Sequence, residues 1–343
     1  PAEMKGDSTS KLTGGFERKR SKGMRRFEVS NSILMVLRII AFLRIAPCRC
    51  FMRGAAIVAL VLGFTSAVQA AREVSFVSEF QVANPFYITV DSNGVLYVTV
   101  RIGGSYLLGG KGSVQVFDPT GKNTLTIGGE DKNGVPYLKK PAGVAVHEGK
   151  LYVCDTSYDR IVIFSKDDRF LDSFGEHGDA AKQFKNPEGV FVYQGLIYVA
   201  DTDNDRIQVF GPNGVFLRSI GDRGEGEALL KSPRAVAVDS RGMIYVVDGV
   251  ARLVKKYRQD GRYAGKLTGS AKPGALAMAE DGLWVTDIEN FNIVKYDLSG
   301  EKVFSFGTMG KGKVQFQEIQ GIAADQTGKV YVVDRNRQSV QVI

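Results

Sequence analysis

The chain is short of the residues that most metal and nucleophile chemistry requires. In 343 residues it has two histidines, three cysteines and one tryptophan. Two histidines cannot supply a three-histidine metal site. There is no C-x-x-C-H, which excludes that kind of haem attachment. Cys48 and Cys50 lie near the front, so Cys154 is the only thiol in the body of the chain. It sits where other repeats carry Ala, Val or Thr and reads as a small core residue. Charge of one sign is also missing from the body. The formal net charge is +8, but residues 1–70 hold 12 Lys+Arg and 4 Asp+Glu, leaving 45 − 12 = 33 basic and 37 − 4 = 33 acidic residues over 71–343. A neutral body has no global field to draw it to nucleic acid or to an anionic membrane.

The front of the chain differs in kind. Residues 52–70 (MRGAAIVALVLGFTSAVQA) have a short positive start at Arg53 and an apolar run from Ala55 to Phe64. Small residues follow at Ala67 and Ala70. That pattern predicts a signal peptide cleaved after Ala70, and a run too short for an ordinary bilayer span. It implies a periplasmic or secreted protein with no stable membrane span after cleavage. The competing reading is an uncleaved anchor, because residues 33–45 (ILMVLRIIAFLRI) are also apolar, though Arg38 and Arg44 interrupt them. Residues 1–51 show no globular pattern, and the expectation is that translation starts at Met52. The chain thus divides into an upstream segment 1–51, a signal peptide 52–70 and a folded part 71–343.

What is abundant is turn chemistry, including 40 glycines. Residues 186–221 (NPEGVFVYQGLIYVADTDNDRIQVFGPNGVFLRSIG) show its purpose. Pro187 suits the first position of a strand. Gly189–Val192 and Leu196–Ala200 read as strands joined by a tight turn at Gln194-Gly195. Leu196–Ala200 is apolar on both faces, so both faces should be buried. Asp201 ends it, and a carboxylate there is expected to hold the loop 202–205. Ile207–Phe210 and Val215–Ile220 complete four antiparallel strands. One such sheet cannot stand alone, whereas copies packed face to face around an axis can.

The copies are present. Leading prolines recur at Pro85, Pro141, Pro187, Pro233 and Pro273, with Ile319 in the sixth place. The second strand ends as Tyr152-Val-Cys-Asp155, Tyr198-Val-Ala-Asp201, Tyr245-Val-Val-Asp248, Trp284-Val-Thr-Asp287 and Tyr331-Val-Val-Asp334. The first copy, Tyr97-Val-Thr-Val100, lacks the aspartate. Leading proline, Gly-aliphatic strand, glycine turn, then V-x-D and a polar turn: this resembles the NHL repeat over essentially all of 72–343. It is not the WD40 pattern. The resemblance implies an all-β, six-bladed propeller of four-stranded antiparallel blades. The sixth copy stops at its third strand, and 73–81 (EVSFVSEFQ) belong to no copy. They are expected to complete that blade and close the ring.

In such a ring the loops after V-x-D and the connections reaching each leading proline meet at one end. Residues that vary where the frame repeats are the candidates for reading a ligand. The six that follow the leading positions are Phe86, Ala142, Glu188, Arg234, Gly274 and Gln320. Tyr87 is odd, because every other blade has Gly or Ala there. Blade 1 also carries an insert, 101–112 (RIGGSYLLGGKG), with Arg101 and Tyr106; it lacks the spacing of a phosphate-binding loop. The expected binding residues are therefore Phe86, Tyr87, Arg101, Tyr106, Glu188, Arg234 and Gln320. No catalytic residue, metal or cofactor is expected, and the protein is expected to be a monomer. The recurrent aspartates read as turn-holders and not as a metal ring. The leading function is a binding or interaction scaffold for a protein or small molecule. Similar six-bladed propellers include lactone hydrolases that hold Ca²⁺ and amidating lyases with a His-ligated metal, so an enzyme is the alternative. RNA binding, found in some NHL domains, is opposed by the neutral charge and the export signal.

Overall fold

Five of the six blades begin at a proline, a residue suited to starting a strand and poorly suited to the middle of one. The structure is a computed structural model that describes residues 74–101, 111–130, 133–135, 137–222 and 226–343. The predicted signal peptide and the segment before it lie outside these residues. Pro85, Pro141, Pro187, Pro233 and Pro273 each open the first strand of a blade, and Ile319 opens the sixth. A proline has no N–H to place in the ladder, so in a sheet it is confined to the first residue, an edge strand or a bulge.

Six four-stranded antiparallel sheets follow in chain order. Blade 3 is Pro187–Tyr193, Leu196–Asp201, Arg206–Phe210 and Phe216–Ile220. Its inner hairpin pairs Val190 with Val199 and Tyr193 with Leu196, around the predicted Gln194-Gly195 turn. Ile197, Tyr198, Val199 and Ala200 are all fully buried, as a strand covered on both faces requires.

The core is six clusters, one in each gap between neighbouring blades. Blades 3 and 4, for example, share Tyr198, Ile207, Val209, Val236, Val246 and Tyr257. The gap between blades 6 and 1 is filled in the same way by Val340, Val342, Tyr331, Leu96, Val98 and Phe117. That last cluster closes the ring.

Closure by the N-terminal strand is as expected. Ser78–Gln81 pairs antiparallel with Ser339–Val342 as the outer strand of blade 6. Glu79 accepts from Arg337 Nη2 at 2.6 Å and Nε at 3.1 Å, and from Ser339 Oγ at 2.6 Å. The Phe80 ring packs 4.9 Å from Phe117 in blade 1. Both ends of the folded part are therefore tied into one sheet.

The first strands line a central channel of about 200 Å³, from Tyr87, Gly143 and Gly189 at one end to Val90, Val146 and Met278 at the other. Around the channel these strands approach very closely. A Cβ on Gly143 would lie 2.6 Å from the Glu188 carbonyl oxygen, and one on Gly189 would lie 2.5 Å from that of Arg234. Nothing larger than glycine is accommodated there without moving backbone. The end where the first strands begin is called the top here.

Candidate functional site

Two sets of polar residues circle the top, and they are built differently. The first is the set of recurrent aspartates, each at most 1 % exposed. Each accepts backbone N–H groups from the connection that leads into its own blade, 15 to 17 residues earlier. Asp155 takes Lys140 N at 2.9 Å, Asp201 takes Lys185 N at 2.8 Å and Asp248 takes Lys231 N at 3.1 Å. Asp287 takes Ala271 N at 2.7 Å and Lys272 N at 3.1 Å, and Asp334 takes Gln317 N at 2.8 Å and Glu318 N at 3.0 Å. The expectation that Asp201 holds its own loop through backbone N–H groups is thus corrected. Its link to that loop runs through the Asn204 side chain, at 3.0 Å. Burial pushes the Asp155 and Asp201 carboxyls up, and the donated hydrogen bonds pull them back. Asp201 also pairs with Arg206 Nε at 2.8 Å and with Gln208 Nε2 at 3.0 Å. Arg206 spans on to the carbonyls of Ala180 and Gln183. Carboxylates so fully engaged serve the frame.

The connections themselves are organised alike. Glu176–His177 pairs in parallel with Gln183–Phe184, and Thr308–Met309 with Gln315–Phe316. In both, the glutamine caps its own loop and the phenylalanine is fully buried between blades. Gly175–Gly178 and Gly307–Gly310 begin these two connections, so their shared G-x-x-G spacing is turn architecture. A third such spacing, Gly221–Gly224, falls partly outside the described residues.

The second set is the varied one. Phe86 and Tyr87 meet edge to face at 5.3 Å between ring centroids. The Arg101 guanidinium lies 3.3 Å above the Phe86 ring, and its Nε donates to the Pro141 carbonyl at 2.8 Å. Phe86 and Arg101 lean over blade 2, where Phe86 packs on the cluster containing Ala142 and Cys154, whereas Tyr87 packs on the cluster between blades 5 and 6. Thr99 Oγ1 accepts the Tyr87 N–H at 2.9 Å and holds the backbone of the odd tyrosine in place. Burial, then the Glu188 carboxylate, push the Tyr87 phenol well above its ordinary value, against Arg101 and Arg234. Burial likewise pushes Glu188 up, against Arg234, Arg101 and Lys140 and with Asp203 adding to the rise. Phe86, Tyr87, Arg101, Glu188 and Arg234 are thus gathered at one mouth, with Lys140 and Asp203 at its edge.

Three of these groups are uncommitted. Among the described residues, neither the Tyr87 hydroxyl nor the Glu188 carboxylate makes a hydrogen bond, and no ion pair joins Glu188 to Arg234. Arg234 Nε is buried without a hydrogen-bond partner. It lies against Gly249, whose missing side chain makes the room. Polar groups are seldom left in this state inside a fold unless they serve a ligand or bind water.

Not every predicted residue joins this group. Gln320 turns to the neighbouring wall and donates to Glu318 at 3.2 Å, beside Arg335. It lines a separate hollow of about 360 Å³ between blades 5 and 6, with Lys272, Ile288 and Phe291. Tyr106 lies outside the described residues. Cys154 is a free, fully buried thiol raised by burial, consistent with a core role. His147 ends the first strand of blade 2, at the bottom, and His177 pairs with Asp159 at 2.8 Å on an exposed connection. The residue after the V-x-D position is a second varied set: Arg101 was picked out through the blade 1 insert, while Thr156, Thr202, Gly249, Ile288 and Arg335 were missed. Thr202 Oγ1 donates to Pro233 O at 2.8 Å, the same bridge to the next blade that Arg101 makes to Pro141. These positions vary as freely as the first set, and that variation was the available signal.

The family model for the NHL repeat matches residues 316–343, the three strands that blade 6 draws from the end of the chain. This is a six-bladed propeller carrying an NHL repeat. Solved propellers resemble it at low identity. One is virginiamycin B lyase from Staphylococcus aureus, at 14 % identity and TM-score 0.53, covering 77 % of this chain and 97 % of that one. Another is in a nidogen/laminin complex, at 19 % identity and TM-score 0.52, covering 70 % and 84 %. A third is hydrazine synthase from Kuenenia stuttgartiensis, at 14 % identity and TM-score 0.50, covering 80 % and 98 %. Two enzymes and a nidogen/laminin complex share the architecture, so this chain is alike to them in fold alone.

Proposed function

We propose that this NHL-repeat propeller is an exported binding module that takes a protein or small-molecule partner at the top mouth, between blades 1 and 4. The observation that carries the reading is the cluster of Tyr87, Glu188 and Arg234, uncommitted in a region where every repeated aspartate is fully bonded. Phe86 and Tyr87 give it an aromatic wall of the kind that anchors interfaces. The surface around it supports the same reading. Met309 is 69 % exposed and Val250 68 %, and both stand on top-end loops with Val135 and Tyr158. The other large exposed apolar side chains lie on or beside outer strands. Among the described residues, none lies on a turn between a first and a second strand. The resemblance to the nidogen/laminin propeller is compatible with a protein partner.

An enzyme with a divalent cation at Glu188 is the weaker reading. Arg101, Arg234 and Lys140 all surround that carboxylate and oppose a cation there. The test is capture of partners by residues 74–343 from the native cell envelope, repeated with Tyr87→Ala plus Arg234→Ala. Loss of the captured partner by a double variant that still folds supports the mouth. Retention of the partner by the folded double variant contradicts it. Export is tested separately by sequencing the N-terminus of the mature protein, which should begin near Ala71.

A further inference from the structure

The charges around the mouth narrow what it can hold. Among the described residues, the groups facing Glu188 are Arg101 and Tyr87 from blade 1, Lys140 and Cys154 from blade 2, Asp203 from its own blade and Arg234 from blade 4. Counting full charges, Arg101, Lys140 and Arg234 stand against Glu188 and Asp203. The excess is positive, and it grows if Glu188 carries a proton. Arg101 is already engaged with Phe86 and Pro141. Arg234 is not engaged, and its planar fork suits two oxygens of one carboxylate. The Tyr87 hydroxyl is a second uncommitted donor. Glu188 is at first sight an obstacle, because two carboxylates side by side repel. That obstacle disappears if one proton is shared between them, the arrangement that paired buried carboxyl groups adopt.

We infer that the top mouth is a carboxylate site, in which Arg234 and Tyr87 hold the ligand's carboxylate and Glu188 donates a shared proton to it. The inference rests on the reading of the mouth as the binding site. The ligand is either a free organic acid or the carboxylate of a partner's acidic side chain or C-terminus. No bond is made or broken apart from the proton. One proton is taken up from solvent when the site fills at a pH where Glu188 is ionised. Glu188 is raised by burial, so its protonated form persists to higher pH than in a free glutamate. Binding should therefore be full below the folded value of Glu188, provided the ligand is ionised, and should weaken as pH rises through it.

The experiment uses residues 74–343 with acetate and glutarate as probes, titrated by calorimetry from pH 5 to 8. Phosphate and ethylammonium serve as controls. Saturable carboxylate binding that weakens as pH rises is expected. Arg234→Met and Tyr87→Phe should each lose at least about tenfold, a change of about 1.4 kcal/mol. Glu188→Gln is the decisive variant. Its amide donates as the protonated acid does, so binding should persist and lose its pH dependence over this range. Four results would overturn the inference: no saturable carboxylate binding at any pH, tighter binding of phosphate, binding of ethylammonium instead, or equal binding by Arg234→Met. If carboxylates fail while Tyr87→Ala plus Arg234→Ala still abolishes partner capture, the ligand class is wrong and the mouth remains the docking site. If glutarate binds and also displaces the captured partner, the partner's own carboxylate is the natural ligand. If glutarate binds without displacing it, the site serves a free acid.

Discussion

The repeated aspartates and the residues after the leading positions stand at the same end of the molecule, yet they behave oppositely. Asp201 is fully buried and accepts from Lys185, Asn204, Arg206 and Gln208. Glu188, in the same blade, is partly exposed and accepts from no described residue. The difference teaches how a repeat protein separates frame from site. A polar residue kept in every blade has a partner supplied by every blade. A polar residue found in one blade has no such partner, and what it meets must come from elsewhere. Changes in the first set should therefore cost stability, and changes in the second should cost binding.

The largest effect is expected from the frame's closing strand. Removing residues 74–81 strips Phe80 from Phe117, leaves Arg337 without Glu79, and bares the edge of blade 6. A loss of several kcal/mol is expected, on the scale of a whole domain's stability. An unchanged melting temperature would contradict closure by this strand.

Next is Asp201→Ala. Asp201 is fully buried and the Arg206 side chain is only 10 % exposed, so the change strands a buried charge and frees several donors. About 3–5 kcal/mol is expected in chemical denaturation. If the variant were as stable as wild type and had lost only binding, the division between the two sets would fail. A matched change at the other set, Arg234→Met, should leave stability within about 0.5 kcal/mol, as is usual away from such networks.

Glu188→Gln should give the smallest stability effect, and its sign is informative. Burial raises the folded Glu188, so its contribution favours the fold at low pH and is lost as pH rises through that raised value. The glutamine variant should melt slightly above wild type at pH 8 and converge with it toward acid pH. A variant that melts lower at pH 8 would show that the ionised carboxylate has a stabilising partner.

Much of the fold was legible in the sequence because each element repeats its own instruction. The Pro187 start, the Gln194-Gly195 turn and the two-faced apolar strand 196–200 needed no long-range information. Closure was legible because one strand was missing at the end and one was left over at the beginning. The role of Asp201 was only half legible. Its carboxylate was read as a turn-holder, but its backbone partner lies at Lys185, in a connection whose path depends on the packed ring. The candidate site rests on variation within a frame, which picked out Phe86, Tyr87, Glu188 and Arg234, residues the structure brings near one another. The same rule does not say which way a side chain turns, and Gln320 turned toward Glu318. The rule was also applied to one set of positions when two obey it. Thr202 and Gly249 went unnoticed, although Gly249 is what gives Arg234 its room.

The most direct test of the account compares two variants of residues 74–343 for capture of the native partner. One is Tyr87→Ala with Arg234→Ala at the top mouth. The other is His147→Ala at the bottom, where the first strand of blade 2 ends. The top-mouth variant should bind at least about tenfold more weakly, about 1.4 kcal/mol, and remain folded, while the bottom variant binds normally. Normal binding by the top-mouth variant and failure of the bottom one would place the site at the opposite end and contradict the account.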